Sequence, residues 1–196
     1  MTIVLATTNR KKIEEITRMF AGFNVRFLPL DSFPDCPEII EDGKTFRANA
    51  VKKAVSISRI TGHPAIADDS GLEVRALGGA PGIFSARYAG EGADDGENVR
   101  KLLRELKGLE DRDRQARFVC CMAFADPDGS CKTFTGYISG MIGRRRKGFN
   151  GFGYDPVFYP SGHDRTFAEM SDSEKDSLSH RGKALKKLYA YLRKTI

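Results

Sequence analysis

The chain lacks the features that would assign it to a membrane, an oxidising compartment or a zinc site. No apolar run reaches the roughly 20 residues of a membrane-spanning helix. The N-terminus, Met1-Thr2-Ile3-Val4-Leu5-Ala6, has neither a basic lead nor a long apolar core. It reads as a first strand, not a signal peptide. Cysteine is scarce, and Cys36, Cys120, Cys121 and Cys131 match no zinc spacing. Cys120 and Cys121 lie in an apolar run and read as buried thiols, which fits a reducing cytoplasm. There is no internal repeat, no low-complexity linker and no GxxxxGK[ST] phosphate loop. What remains is 196 residues of ordinary composition, 40% hydrophobic and 30% charged. That length suits one domain, or one domain with two lobes. Roughly 70% of the unfolded surface can be buried at this size, so no staple is required. The net charge of +6 favours anionic partners without choosing among nucleotide, nucleic acid and membrane surface.

Against these absences stands a concentration of acid. Asp68 and Asp69 are adjacent in Ala67-Asp68-Asp69-Ser70-Gly71, and a second pair, Glu41-Asp42, precedes Gly43. Adjacent carboxylates at a strand end repel each other and resist desolvation unless something neutralises them. A hard cation such as Mg²⁺ does this, taking few ligands from protein and several from water or phosphate. An exposed acidic turn is the plain alternative. Here the pair lies between the apolar segments Ala65-Ile66-Ala67 and the one starting at Leu72, which favours a metal or general-base role. Groups suited to phosphate occur elsewhere: Thr7-Thr8-Asn9 with Lys12, then Lys53, Lys175 and His180-Arg181. Acid for a metal and base for phosphate point to chemistry on a nucleotide.

The pattern alternates strands and helices. Residues 2–6 read as a buried strand, followed by capping residues at Thr7-Thr8-Asn9. Ile13, Ile16 and Phe20 then fall on one helical face. Asp42-Gly43 opens a second helix striped with Phe46, Ala50, Ala54 and Ile57. Asn49 and Lys53, four apart, converge beside that stripe. A short strand over 65–67 delivers Asp68 and Asp69. A glycine-rich loop over 78–82 and a helix over 97–106 come next. Residues 118–125 form an apolar strand, ended by the turn Asp126-Pro127-Asp128-Gly129. Residues 132–142 make its antiparallel partner. A glycine-rich loop spans 148–153, a strand 154–159, and Leu185, Leu188 and Leu192 mark a final helix. This predicts an α/β fold with a mixed sheet.

Three motifs have two readings each. A strand, Thr7-Thr8-Asn9 and a helix start make either an anion site or a simple cap. In Gly151-Phe152-Gly153-Tyr154-Asp155-Pro156, Phe152 offers a face for base stacking or fills the core of a hairpin. His180 and Arg181 open the last helix, where they donate to a ligand carbonyl or phosphate or serve the fold. The run Arg144-Arg145-Arg146-Lys147 makes a nucleic-acid-binding protein the competing expectation, although a solvated loop explains such a run more simply.

Taken in order, these segments resemble the inosine/xanthosine triphosphate pyrophosphatase family over residues 3–192. The matching blocks are Leu5-Ala6-Thr7-Thr8-Asn9 with Lys12, Glu41-Asp42-Gly43 with Thr45-Phe46 and Asn49-Ala50, and Lys53-Ala54. They continue through 67–72, 78–82, Ser85-Ala86-Arg87-Tyr88, 151–156 and 179–182. Thr8 and Asn150 stand where that family usually has glycine. The resemblance implies one two-lobed α/β domain over 1–196, an elongated mixed sheet flanked by helices and a cleft between the lobes. It implies hydrolysis of ITP, dITP and XTP to the monophosphate and pyrophosphate with Mg²⁺, in a cytoplasmic homodimer that uses neither membrane nor nucleic acid. It implies Asp69 as proton acceptor, with Glu41 and Asp69 as metal ligands. The substrate-binding positions it implies are Thr7, Thr8, Asn9, Arg10, Lys11, Lys12, Ser70, Phe152, Gly153, Tyr154, Asp155, Lys175, His180 and Arg181; Lys53 is expected to join Lys12 in holding the triphosphate tail.

Overall fold

A computed structural model describes residues 1–195. Six strands hydrogen-bond in the order β2-β1-β3-β4-β5-β6, flanked by helices. They are β1 (Thr2–Leu5), β2 (Arg26–Pro29), β3 (Ala65–Val74), β4 (Gln115–Ala125), β5 (Cys131–Ile142) and β6 (Phe158–Pro160). The sheet is mixed: β1 pairs in parallel with β2 and β3, while β5 and β6 are antiparallel. The helices are α1 (Arg10–Met19), α2 (Phe46–Thr61), α3 (Asp95–Glu105), α4 (Asp172–Leu178) and α5 (His180–Thr195).

The chain divides into two compact units. The first comprises Met1–Asp69, Cys120–Gly136 and the stretch from Arg181; the second comprises Ser70–Val119 and Tyr137–His180. Each has its own core. In the first, Ile16 of α1, Phe20 just after it, and Leu185, Leu188 and Leu192 of α5 are buried with Ile3, Leu5, Ile66 and Met122. These are the apolar stripes expected of amphipathic helices on a sheet. The α2 stripe of Phe46, Ala50, Ala54 and Ile57 is buried as well. In the second unit, Val99 and Leu102 of α3 pack with Leu72, Val74, Phe118, Ile142, Phe158 and Phe167.

The structure differs from the sequence reading in two added elements and three altered segments. β2 and α4 are additional elements. β3 does not stop at Ala67 but runs through both aspartates to Val74. α2 starts at Phe46, where Thr45 Oγ1 accepts from Ala48 N at 3.1 Å and caps it; Asp42-Gly43 lies ahead of the helix. The expected strand over 154–159 is a 3₁₀ turn, Asp155–Val157, followed by the short β6. Among the described residues no helix is long and apolar enough to cross a membrane.

Candidate active site

β3 carries Asp68 and Asp69 in mid-strand, where successive side chains face opposite sides. The two carboxylates therefore meet different partners. Asp68 Oδ2 lies 3.1 Å from Lys12 Nζ and 3.1 Å from Arg181 Nη2. Arg181 Nη1 donates to Glu15 Oε2 at 2.5 Å, and the whole side chain is buried. Burial opposes the Asp68 anion, but Lys12, Arg181 and Lys53 outweigh it and hold the carboxyl well below its usual range. Burial likewise opposes the Arg181 cation, and Asp68 and Glu15 reverse that effect.

Asp69 has a poorer supply of positive charge. Its Oδ2 accepts from Asn49 Nδ2 at 2.9 Å. Asn49 Oδ1 accepts from Gly43 N at 2.7 Å, which ties the Glu41-Asp42-Gly43 segment to α2. A side chain at position 43 would collide there, since its Cβ would come within 2.5 Å of Asn49 Oδ1. One turn along α2, Lys53 Nζ donates to Glu41 Oε1 at 2.8 Å and to the Asp68 carbonyl at 2.7 Å. Burial pushes the Asp69 carboxyl up; Asn49 and Lys53 oppose that, and the charge of Glu41 adds to it.

A divalent cation fits this environment. Asp69 and Glu41 offer two hard oxygen donors; the Glu41 charge adds to the cost of the Asp69 anion, and added positive charge would relieve it. Among the described residues no group of three or more His, Cys, Asp or Glu forms a complete cage. Asp68 is committed to Lys12 and Arg181 instead.

Around the α1 N-terminus, Asn9 Oδ1 accepts from Lys12 N at 3.2 Å, and Thr7 Oγ1 accepts from Asn9 N at 3.2 Å. Asn9 is therefore a cap. No acidic residue occupies the first turn, so the positive end of the helix dipole still favours an anion. Thr8, Arg10 and Lys11 are exposed there, and Lys11 Nζ lies 3.4 Å from Glu14.

The second unit assembles a different group. Phe152 N donates to Asp155 Oδ2 at 2.8 Å, and Lys175 Nζ donates to the same oxygen at 2.7 Å. Lys175 Nζ also lies 4.6 Å from the centre of the Phe152 ring, a cation–π distance. Gly153 N donates to Asp95 Oδ2 at 2.7 Å, and the Tyr154 hydroxyl donates to the Ser85 carbonyl at 2.9 Å. Phe152 is half-buried, so it does not fill a hairpin core. His180 stacks on Phe118 with centroids 4.6 Å apart and planes at 7°. Ser70 follows Asp69 on β3, half-buried. The basic run is partly engaged: Arg144 pairs with Asp111 at 2.9 Å, and Lys147 lies over the Tyr159 ring.

Comparison with known proteins places the chain. The model of the Ham1 family matches residues 3–191. The chain belongs to the Ham1 family. A relative from Desulfotalea psychrophila, named dITP/XTP pyrophosphatase, is 52% identical over 188 residues, covering 96% of this chain and 83% of the relative. One of the same name from Desulforamulus reducens is 49% identical, covering 95% and 93%. The solved HAM1 protein of Coxiella burnetii superposes with a TM-score of 0.91 at 42% identity, covering 99% of both chains. A nucleoside-triphosphatase or dITP/XTP pyrophosphatase of Mycobacterium abscessus gives a TM-score of 0.79, also at 42% identity, covering 96% and 98%. The α/β fold read from the sequence is thus the Ham1 fold.

Two residues of these clusters escaped the sequence reading. Glu15 and Asp95 each sit within an ordinary helical pattern, and their partners are 166 and 58 residues away. Ser85 was read only as part of a matching block, without a role, and Glu15 left one trace: it adjoins Ile16 on α1, beside the buried stripe.

Proposed function

We propose that this protein hydrolyses ITP, dITP and XTP at the α–β phosphoanhydride, releasing the monophosphate and pyrophosphate. The observation that carries this reading is the cluster of Asp69, Glu41, Lys53 and Lys12, where carboxylates for a metal adjoin cations for phosphate. The names of the Ham1 relatives agree with it. Glu41 and Asp69 would hold Mg²⁺, which supplies positive charge to the phosphate oxygens in the transition state.

The remaining chemistry belongs to side chains. Asp69 accepts the proton of the water that attacks the α-phosphorus; the bond to the bridging oxygen breaks and pyrophosphate leaves. Lys12, Lys53, Ser70 and the α1 N-terminus with Thr7, Thr8, Asn9, Arg10 and Lys11 take the triphosphate. Phe152, on the turn with Gly153, Tyr154 and Asp155, stacks on the base under Lys175. His180 and Arg181 donate to the 6-keto oxygen, and Glu15 and Asp68 fix the plane of the guanidinium. A 6-amino group would set donor against donor, and sites of this kind reject such analogues by roughly 10⁴-fold. A homodimer in the cytoplasm completes the reading, and sedimentation equilibrium tests the dimer.

The deciding experiment measures pyrophosphate release from ITP, XTP, dITP, GTP and ATP with Mg²⁺. The reading requires preference for the deaminated purines. Equal turnover of ATP and ITP, or release of orthophosphate only, refutes it.

A further inference from the structure

Asp95 makes a bond that its own helix does not require. The α3 N-terminus is already closed by a reciprocal pair: Asp94 Oδ1 accepts from Glu97 N at 2.7 Å, and Glu97 Oε2 accepts from Asp94 N at 2.9 Å. That pair satisfies the capping need. Asp95, the next residue, instead accepts from Gly153 N at 2.7 Å. A carboxylate is favoured in a first helical turn, and a charged acceptor strengthens the bond to a backbone N–H. Gly153 has φ +59, a left-handed conformation that glycine adopts without strain. Asp95 therefore holds a backbone amide in the conformation that only this glycine makes easy.

The amide belongs to the residue after Phe152. Other restraints on this turn act differently. Asp155 holds Phe152 N from within the turn, and Ser85 holds only the tip of the Tyr154 side chain. Asp95 reaches the turn backbone from a separate helix. We propose that Asp95 is a positioning residue for purine stacking: it fixes the turn over 151–155 so that the Phe152 ring is presented at one angle. This rests on the reading of Phe152 as the base platform. Asp95 is exposed, so its loss acts on affinity for the base rather than on the fold.

The test compares native protein with Asp95→Ala, Asp95→Asn and Phe152→Ala. Readouts are KM and kcat for ITP, the Kd of inosine monophosphate by calorimetry, the Ki of inorganic pyrophosphate, and the thermal midpoint. Asp95→Ala should raise KM and the monophosphate Kd by about 3- to 10-fold, the range of one lost hydrogen bond. Its kcat should stay within about twofold, as for lost uniform binding, with the pyrophosphate Ki and the midpoint unchanged. Asp95→Asn keeps an acceptor oxygen without the charge and should fall between native and Asp95→Ala. Unchanged monophosphate affinity in Asp95→Ala overturns the proposal. So do equal losses for monophosphate and pyrophosphate, or a lowered midpoint, which would mark a general structural role. If Phe152→Ala leaves monophosphate affinity untouched, the stacking reading itself fails. If Phe152→Ala weakens it and Asp95→Ala does not, only the role of Asp95 fails.

Discussion

Asp69 is a carboxylate whose ionised form the fold disfavours, held in place by Asn49. Its folded pKa is raised, so the ionised side chain costs stability at neutral pH, and that cost disappears as pH falls below the ordinary 3.8. Asp69→Asn should therefore lower kcat by about 10² to 10⁴ while the metal-free thermal midpoint at pH 7 is no lower than native. Parallel kinetics and melting curves check both halves; a fall in midpoint would make Asp69 a structural residue. Arg181 behaves in the opposite way. It bonds Glu15 and Asp68 inside the protein, and removing one partner of a buried ion pair typically costs about 3–5 kcal/mol. Arg181→Ala should lose stability of that order in urea unfolding. Its remaining folded fraction should also discriminate less well between ITP and ATP in kcat/KM.

At the scale of elements, α4 is built from its cap. Ser171 N donates to Glu174 Oε2 at 2.8 Å, Glu174 N donates back to Ser171 Oγ at 3.3 Å, and Arg165 Nη2 reaches Glu174 Oε1 at 2.8 Å. Arg165 first, then Ser171, hold the Glu174 carboxyl at about 2, below its ordinary 4.5. A depressed acid contributes stability above its unfolded pKa and loses it as pH falls through the folded value. The α4 N-terminus should thus stay protected at pH 4 and open towards pH 2, in a window on the order of these two pKa values. Carboxyl NMR titration and amide exchange at residues 171–174 measure this. Glu174→Gln should remove the pH dependence. α4 also carries Lys175 to Asp155 and Phe152, so the same opening should weaken nucleotide binding.

For the whole molecule, the decisive variable is the divalent ion. Chelation should abolish pyrophosphate release, and added Mg²⁺ should restore it. An ion that binds only the folded state stabilises by about 2.7 kcal/mol at a hundredfold excess over Kd. Mg²⁺ should therefore raise the thermal midpoint of the native protein and do so much less in Asp69→Asn. An equal rise in both would move the metal away from Asp69. In the Arg144-Arg145-Arg146-Lys147 loop, Arg144 is paired with Asp111.

The sequence by itself determined the local architecture. The stripes of α1, α2 and α5 and the strands β1 and β4 follow from apolar spacing and are buried where that spacing requires, while β5 follows from the turn after β4. α4 went unread although the local signal for it, the capping box of Ser171 and Glu174, was legible. β2 was not: it is four residues long and none is fully buried. Nor was the length of β3, because two aspartates interrupt an apolar pattern. Only tertiary structure decided that they could lie in mid-strand. Lys12 and Arg181, 56 and 113 residues from Asp68, neutralise one aspartate, and Asn49 receives the other. Periodicity reports which face of an element is apolar. It carries no information on which distant charge will answer a buried one, and that pairing gives the two carboxylates different surroundings.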